Sequence, residues 1–448
     1  MKVWLVNPHD AIPGEGWGYK HAMFLAEKLA SQGHDVTLWT VNFAHATKQL
    51  RSPGWKELSG GERIKILLVP VKAYRRHIGV ARIQSLLDFA RGVWQRSATQ
   101  SKPDVIIMTV PTPFSDWVCA RLARRYGAKL ILDFRDLWPE IFALAFPRPL
   151  RRFAFIPLSP LYALRKYAFD RADALVGVCE TYLGLARRIS PRLAKVPTRI
   201  IYSTGVDLVA FRRMMASPEH DAELPPKAAT DVWVVYAGTI GSAYDIAALV
   251  EAARLLGRDP RAAHVKILVA GAGPLLSLVT DAIEREKLTN LVYLGTLTMP
   301  KLCRVYAKSD IGLSIYAPGS TVAIPAKAFD YYAAGLPIVN SLDSEFGRTI
   351  TDQRIGENYR SGDGASLAAA LLKLASPEAA ARRADIRARL EAIAPEFDRD
   401  RQYDKMIEVL DELGLPGRAP QAPGPQSPGS GQPRKPSSRA RSELEASQ

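Results

Sequence analysis

Pro325-Ala326-Lys327-Ala328-Phe329-Asp330-Tyr331-Tyr332-Ala333-Ala334-Gly335-Leu336-Pro337-Ile338-Val339 reads as one short helix, a glycine stop and the start of an apolar strand. Lys327 and Asp330 stand at i and i+3 and so share a helix face, and Pro325 suits a first turn whose free N–H groups attract anions. Two readings are open from this segment alone. It could be a grip on a diphosphate and a ribose, or a surface ion pair on an ordinary crossover helix.

The same helix-to-strand grammar runs through the chain. Strands are expected at 3–7, 35–41, 64–69, 105–109, 130–134, 174–179 and 199–202, and again at 232–237, 265–270, 291–294, 311–316 and 337–340. Helical patterns lie between them, as in a parallel sheet with crossover helices. Glycines such as Gly33 and Gly127 fall where a helix must end with positive φ. The fold class expected is α/β, with two Rossmann-like domains facing a cleft.

A chain of 448 residues, 47% hydrophobic, is long enough for two buried sheets. The expected division is residues 1–213 for the first domain, a Pro-rich linker at 214–230, and a second domain at 231–390. C-terminal helices at 391–414 could pack back on the first domain, and a disordered tail at 415–448 is rich in Pro, Gly and Ser. Three cysteines without metal spacing argue against a disulfide framework or a zinc site, and the first apolar run is too short for a signal sequence. A cytoplasmic protein without a transmembrane helix is expected.

The net charge of +15 is unevenly placed. Residues 1–213 hold 33 Lys+Arg against 16 Asp+Glu, so the whole excess lies in the first half. Basic clusters at 74–77, 121–125, 148–153 and 165–166 stand beside aromatics and leucines, a mixture that suits an anionic lipid interface at least as well as nucleic acid. A solvated basic surface without a partner is the plain alternative.

Four glycine turns follow strands. Gly14, Gly16, Trp17 and Gly18 follow the first strand, but their spacing is not that of a dinucleotide fingerprint. Gly238, Thr239 and Gly241 follow the first strand of the second half, Gly271 and Gly273 the next, and Gly295 to Leu297 a third. All are expected on the carboxyl side of parallel strands, where open α/β sheets bind ligands. Asp133, Arg135, Asp136 and Glu140 end a strand of the first half. Arg135 there offers bidentate contacts to phosphate, and an internal ion-pair network is the alternative. His9 and His21 read as structural.

With these turns and the Lys327/Asp330 segment, the chain resembles retaining nucleotide-sugar glycosyltransferases of the GT-B fold, family four. The Asp133-to-Pro139 motif resembles the branch that builds bacterial surface polysaccharides, including N-acetyl-fucosamine-type transferases. The resemblance implies a UDP- or GDP-sugar donor held by Gly238, Thr239, Gly241, Gly271, Gly273, Gly295, Leu297, Lys327 and Asp330. It implies an acceptor side formed by Gly16, Trp17, Gly18 and Asp133, and catalytic roles for Arg135, Asp136 and Lys327. No metal and no cofactor are implied. The expected partners are a lipid-linked saccharide acceptor and an anionic membrane surface at the inner face of the plasma membrane, with no nucleic acid. The family pattern has two glutamates with seven residues between them; Asp330 takes the second position and Val322 the first. The alternatives are a GT-B nucleotide-sugar epimerase, or a non-catalytic basic protein binding membrane or nucleic acid.

Overall fold

The computed structural model describes residues 1–415 except 16–19, 46, 76–78 and 203–205, so the expected tail beyond 415 lies outside the described residues. The first sheet has eight strands: β1 (Lys2–Val6), β2 (Asp35–Val41), β3 (Lys56–Gly61), β4 (Ile64–Val69), β5 (Val105–Val110), β6 (Lys129–Phe134), β7 (Ala174–Gly177) and β8 (Thr198–Ile200), in the order β3-β4-β2-β1-β5-β6-β7-β8. The second has six: β9 (Val232–Ala237), β10 (Val265–Ala270), β11 (Leu291–Tyr293), β12 (Ile311–Ser314), β13 (Ile338–Asn340) and β14 (Gly356–Asn358), in the order β11-β10-β9-β12-β13-β14. The chain has two α/β domains.

Strands such as β9, Val-Trp-Val-Val-Tyr-Ala, are buried along their whole length because helices cover both faces of the sheet. β1 and β9 are the strands at which the winding reverses, so the loops after them open into the crevice of each sheet. Every pairing is parallel except β3 with β4. β3 and the three-residue β14 are strands that the sequence pattern does not announce. The β3 stretch Lys-Glu-Leu-Ser-Gly-Gly is polar, mostly exposed and confined to the sheet edge, where it needs no apolar alternation.

The stretch expected as a linker is tied down. Met214 to Ala216 close the helix Leu208–Ala216, whose Leu208 and Phe211 belong to the second domain's core, so the boundary drawn at 213 falls inside a helix. Beyond it, Asp221 pairs with Arg304 and Lys308, and Lys227 with Asp310. These ion pairs hold the segment along the second domain and remove the freedom that its composition suggests.

The last helix, Arg399–Glu412, leaves the second domain and packs on the first. Tyr403, Met406, Val409 and Leu410 join the core formed by Val3, Leu5, Leu25 and Ile107. The two chain passages between domains are bonded to each other: Arg399 N donates to Val206 O at 2.9 Å, and Leu208 N to Asp398 Oδ2 at 3.0 Å. Across the cleft, Glu345 accepts from the Glu180 and Thr181 amides at 3.2 and 2.8 Å, capping the helix Glu180–Ile189 of the first domain.

Met406 is fully buried in this returning helix. Met406→Ala should cost about 2–5 kcal/mol, read as a lower urea midpoint, and the first domain should lose protection with the helix.

Candidate functional site

The glycine turns of the second domain meet one another before they meet any ligand. A Cβ on Gly271 would lie 1.8 Å from Gly238 O, and one on Gly273 would lie 2.2 Å from Ile240 O. Gly238 N donates to Ala270 O, Ile240 N to Ala272 O and Gly271 N to Gly295 O, at 2.9, 2.9 and 2.8 Å. The turns after β9, β10 and β11 are therefore zipped into one ledge at the carboxyl edge of the sheet. Gly271 and Gly273 are glycines because backbone crosses backbone there, with φ of 136° and 157°. Gly238, φ 154°, instead leaves its open side toward Lys327, whose Nζ stands 3.1 Å from where a Cβ would be. Thr239 is exposed on the ledge, and Gly295 has nothing within 4 Å of its would-be Cβ. Leu297 is half-buried just beyond.

Lys327 opens the helix Lys327–Ala334, so Pro325 stands in the turn before it and not at its first residue. The helix stops at Gly335, which is left-handed at φ 65°. The Lys327 side chain is 9% exposed, and its ammonium has no hydrogen-bond partner. Instead it lies over the rings of Tyr236, Tyr244 and Tyr316, at 4.1, 4.9 and 5.9 Å from their centroids. The surface ion pair with Asp330 that the i, i+3 spacing allowed does not form, because tertiary packing turns the ammonium into the aromatic cage. Burial pushes the Lys327 pKa down to about 7, against the opposing pull of Asp330. Burial likewise pushes the Asp330 carboxyl up to about 7, with Lys327 and the Tyr306 hydroxyl opposing.

In the first domain, Asp133 is the next-to-last residue of β6 and is buried. Burial alone would raise its carboxyl, but Arg135 and His21 together outweigh that and hold it below its ordinary value. Arg135 Nε lies 2.6 Å from Asp133 Oδ1, and His21 Nε2 lies 2.7 Å from Oδ2. His21 Nδ1 is 2.8 Å from the hydroxyl of Tyr403 on the returning helix. Burial, then the charge of Arg135, lowers the His21 pKa, so the ring is neutral. An ionised carboxylate can only accept, so Nε2 carries the proton and Nδ1 accepts from Tyr403. This buried chain ends at Arg135, which lines an interdomain cavity of about 170 Å³ with Tyr182, Tyr202, Val322, Ile324 and Phe329. Val322, Ile324 and Phe329 make one wall of it apolar. Asp136 is exposed and accepts from the Leu137 amide at 2.7 Å.

The structure thus brings Gly238, Thr239, Gly271, Gly273, Gly295 and Lys327 to one edge, with Asp330 on the Lys327 helix beside Tyr306, and Asp133, Arg135 and Asp136 to the carboxyl end of β6. Gly241 also lies in the ledge turn, where a Cβ would find Thr239 at 3.4 Å. Gly16, Trp17 and Gly18 lie outside the described residues. Tyr403 carries no sequence signal for its role, being 382 positions from its partner His21. Among the described residues no group of three His, Cys, Asp or Glu could hold a metal ion, and no helix is long and apolar enough to cross a membrane.

Residues 20–201 match the glycosyl transferase 4-like domain, and residues 231–376 match glycosyl transferases group 1. Among curated proteins, the chitobiosyldiphosphodolichol beta-mannosyltransferase of Candida albicans is 28% identical over 101 residues, a match that spans only 22% of this chain and 22% of that protein. Similar solved structures include a trehalose-6-phosphate structure from E. coli bound with UDP-2-fluoro glucose (15% identity, TM-score 0.65, covering 92% of this chain and 99% of that one). Anabaena Alr3699/HepE in complex with UDP is 14% identical with a TM-score of 0.63, over 92% of this chain and all of that one. WaaG, a glycosyltransferase involved in lipopolysaccharide biosynthesis, is 13% identical with a TM-score of 0.60, over 92% and 100%. The chain joins a glycosyl transferase 4-like domain and a glycosyl transferases group 1 domain in one GT-B fold.

Proposed function

We propose that this protein is a glycosyltransferase that moves a sugar from a nucleotide-diphosphate donor to a lipid-linked saccharide, with retention at the anomeric carbon. The observation that carries the reading is the Lys327 ammonium, buried at the glycine ledge with aromatic faces around it and no acceptor. A charge held this way is costly until an anion reaches it. The diphosphate of a nucleotide sugar is such an anion, and UDP or a UDP-sugar analogue is present in two of the similar structures.

In this reading the Gly238–Gly241 turn and Lys327 meet the diphosphate, and Asp330 meets the ribose hydroxyls. The bond between the anomeric carbon and the diphosphate breaks, leaving negative charge on the β-phosphate, which Lys327 stabilises as it develops. The acceptor oxygen forms the new glycosidic bond on the same face and passes its proton to a phosphate oxygen. Arg135, oriented by Asp133 and His21, faces the reacting sugar from the first domain. No step uses a metal ion or a cofactor.

A place at the inner face of the plasma membrane, in surface-polysaccharide synthesis, belongs to the same reading. Its support is the basic first half and the exposed Leu150, Phe153, Phe155 and Ile156, which follow one another beside Arg151 and Arg152. The Candida relative, by its name, acts on a diphosphodolichol-linked sugar.

Purified protein with a UDP- or GDP-sugar and a polyprenyl-diphosphate-linked saccharide should release nucleoside diphosphate and extend the acceptor. Lys327→Ala should lower kcat/KM by about 10²-fold or more, as loss of one charge stabiliser does elsewhere. No release with any donor and acceptor pair, or wild-type rates in Lys327→Ala, would overturn the reading.

Lys327→Met should behave oppositely in stability. The folded pKa of about 7 lies below the ordinary lysine value of 10.5, so the cost of burying the charge is complete below pH 7 and fades as pH rises toward 10.5. Without ligand, the substitution should therefore stabilise by about 1–4 kcal/mol at pH 6 and less at pH 9, by urea unfolding. The same variant should lose nucleoside diphosphate binding.

A further inference from the structure

The returning helix Arg399–Glu412 reaches Arg135 by two routes that start at neighbouring residues. One is the buried chain from the Tyr403 hydroxyl through His21 and Asp133 to Arg135 Nε. The other starts at Gln402, which is 1% exposed. Gln402 Oε1 accepts from the Tyr202 amide at 3.0 Å, and the carbonyl of that same peptide group, Ile201 O, accepts from Arg135 Nη1 at 3.2 Å. A trans peptide unit points its N–H and its C=O in opposite directions, so one planar group is clasped between Gln402 and Arg135. The guanidinium is itself planar, with its donors fixed relative to one another, so holding Nε and Nη1 orients the whole group.

The helix is seated against β8 by a row of polar contacts. Lys405 Nζ donates to Ile200 O at 3.3 Å and to Gln402 Oε1 at 3.2 Å, and Arg199 of β8 pairs with Glu408 and Glu412. Residues 402, 405, 408 and 412 recur at the spacing of one helix face, while Tyr403, Met406, Val409 and Leu410 enter the core. Gln402 Nε2 donates in turn to Glu396 O, in the short helix Ala394–Phe397, whose Ala394 belongs to the second domain's core. Packing alone asks only for apolar side chains at 402 and 403. A buried amide and a buried hydroxyl are costly unless bonded, and both are bonded toward Arg135.

We infer that Gln402 and Tyr403 are positioning residues for Arg135, fixing its guanidinium in the interdomain cavity from outside the cleft, one through the Ile201–Tyr202 peptide and the other through His21 and Asp133. Their purpose rests on the transferase reading, which gives Arg135 its task at the sugar, but the placement itself is read without turnover. The helix that carries both residues begins where the chain crosses between domains, at the bond from Arg399 N to Val206 O. The cleft arginine is therefore aimed only while that joint is seated.

In the full chain labelled with isotopic arginine, the NMR signal of the Arg135 Nε–H group, identified by its loss in Arg135→Lys, reports the contact with Asp133. Tyr403→Phe keeps the ring and removes the hydroxyl, and Gln402→Met keeps the length and removes both amide bonds. Each should shift that signal and speed its exchange with solvent, whereas Gln402→Glu, which retains an oxygen for the Tyr202 amide, should restore it. Val409→Ala, on the same helix but in the apolar core and on neither route, should lower stability and leave the signal in place. With a nucleotide sugar and a lipid-linked saccharide, Tyr403→Phe and Gln402→Met should each lower kcat about tenfold at unchanged donor KM, as a misaimed group does, and Val409→Ala should keep the wild-type kcat. Neither loss should add to that of Arg135→Lys, since all three act through one group. A signal unmoved in Tyr403→Phe and Gln402→Met, or moved as far by Val409→Ala, would overturn the assignment and leave the helix a purely structural part; so would losses that add to that of Arg135→Lys. Failure of the transferase reading would show differently, as these same signal shifts in a protein that transfers no sugar.

Discussion

The backbone of residues 271–273 lies against the backbone of residues 238–240, closer than any side chain would allow, and the cleft edge of the second domain is built on that approach. Three strand ends are tied into a single ledge by amide-to-carbonyl bonds, and the ledge is rigid because its contacts are main chain. At Gly238 the ledge meets Lys327, which is delivered there by a helix that starts at that residue. A bulkier ledge would push the lysine away; a looser one would let water satisfy it. The Lys327 ammonium is thus buried beside two closely packed turns with no hydrogen-bond partner, which is costly for a charge.

The first domain solves a different problem. Its Asp133 is buried where a carboxylate would ordinarily become protonated, and it stays ionised because a cation and a neutral imidazole converge on it. The imidazole is fixed in one tautomer by a tyrosine from the far end of the chain. Arg135 is in turn held at the interdomain cavity by that carboxylate. The returning helix therefore does more than close the fold. By crossing from the second domain to the core of the first, it couples the placement of the cleft arginine to the joint between domains, where both chain passages are bonded together.

Charge is divided unevenly between the domains. The basic excess of the first half includes the arginines beside exposed aromatics at 150–156. In the nearly neutral second half the Lys327 ammonium is buried at the ledge, over tyrosine rings. A diffuse field attracts a surface or an amphiphile, whereas one desolvated cation selects a ligand that fits its cage.

The sequence by itself determined the layer architecture, because apolar runs buried between helices and glycines at helix ends are local patterns with one physical reading. It also marked the strand ends where Gly238, Gly271 and Asp133 stand, and the short helix that carries Lys327. Edge strands β3 and β14 escaped it, since an exposed or three-residue strand needs no apolar pattern. Only the tertiary structure decided what the marked residues do: that Gly271 and Gly273 serve turn-on-turn packing, that Lys327 faces three tyrosines and not Asp330, and that His21 belongs to Tyr403 and Asp133. Each of these depends on contacts between segments tens to hundreds of residues apart. Spacing along a helix specifies which side chains share a face, but the burial that removes water from a charge is set by whatever the rest of the chain brings against that face.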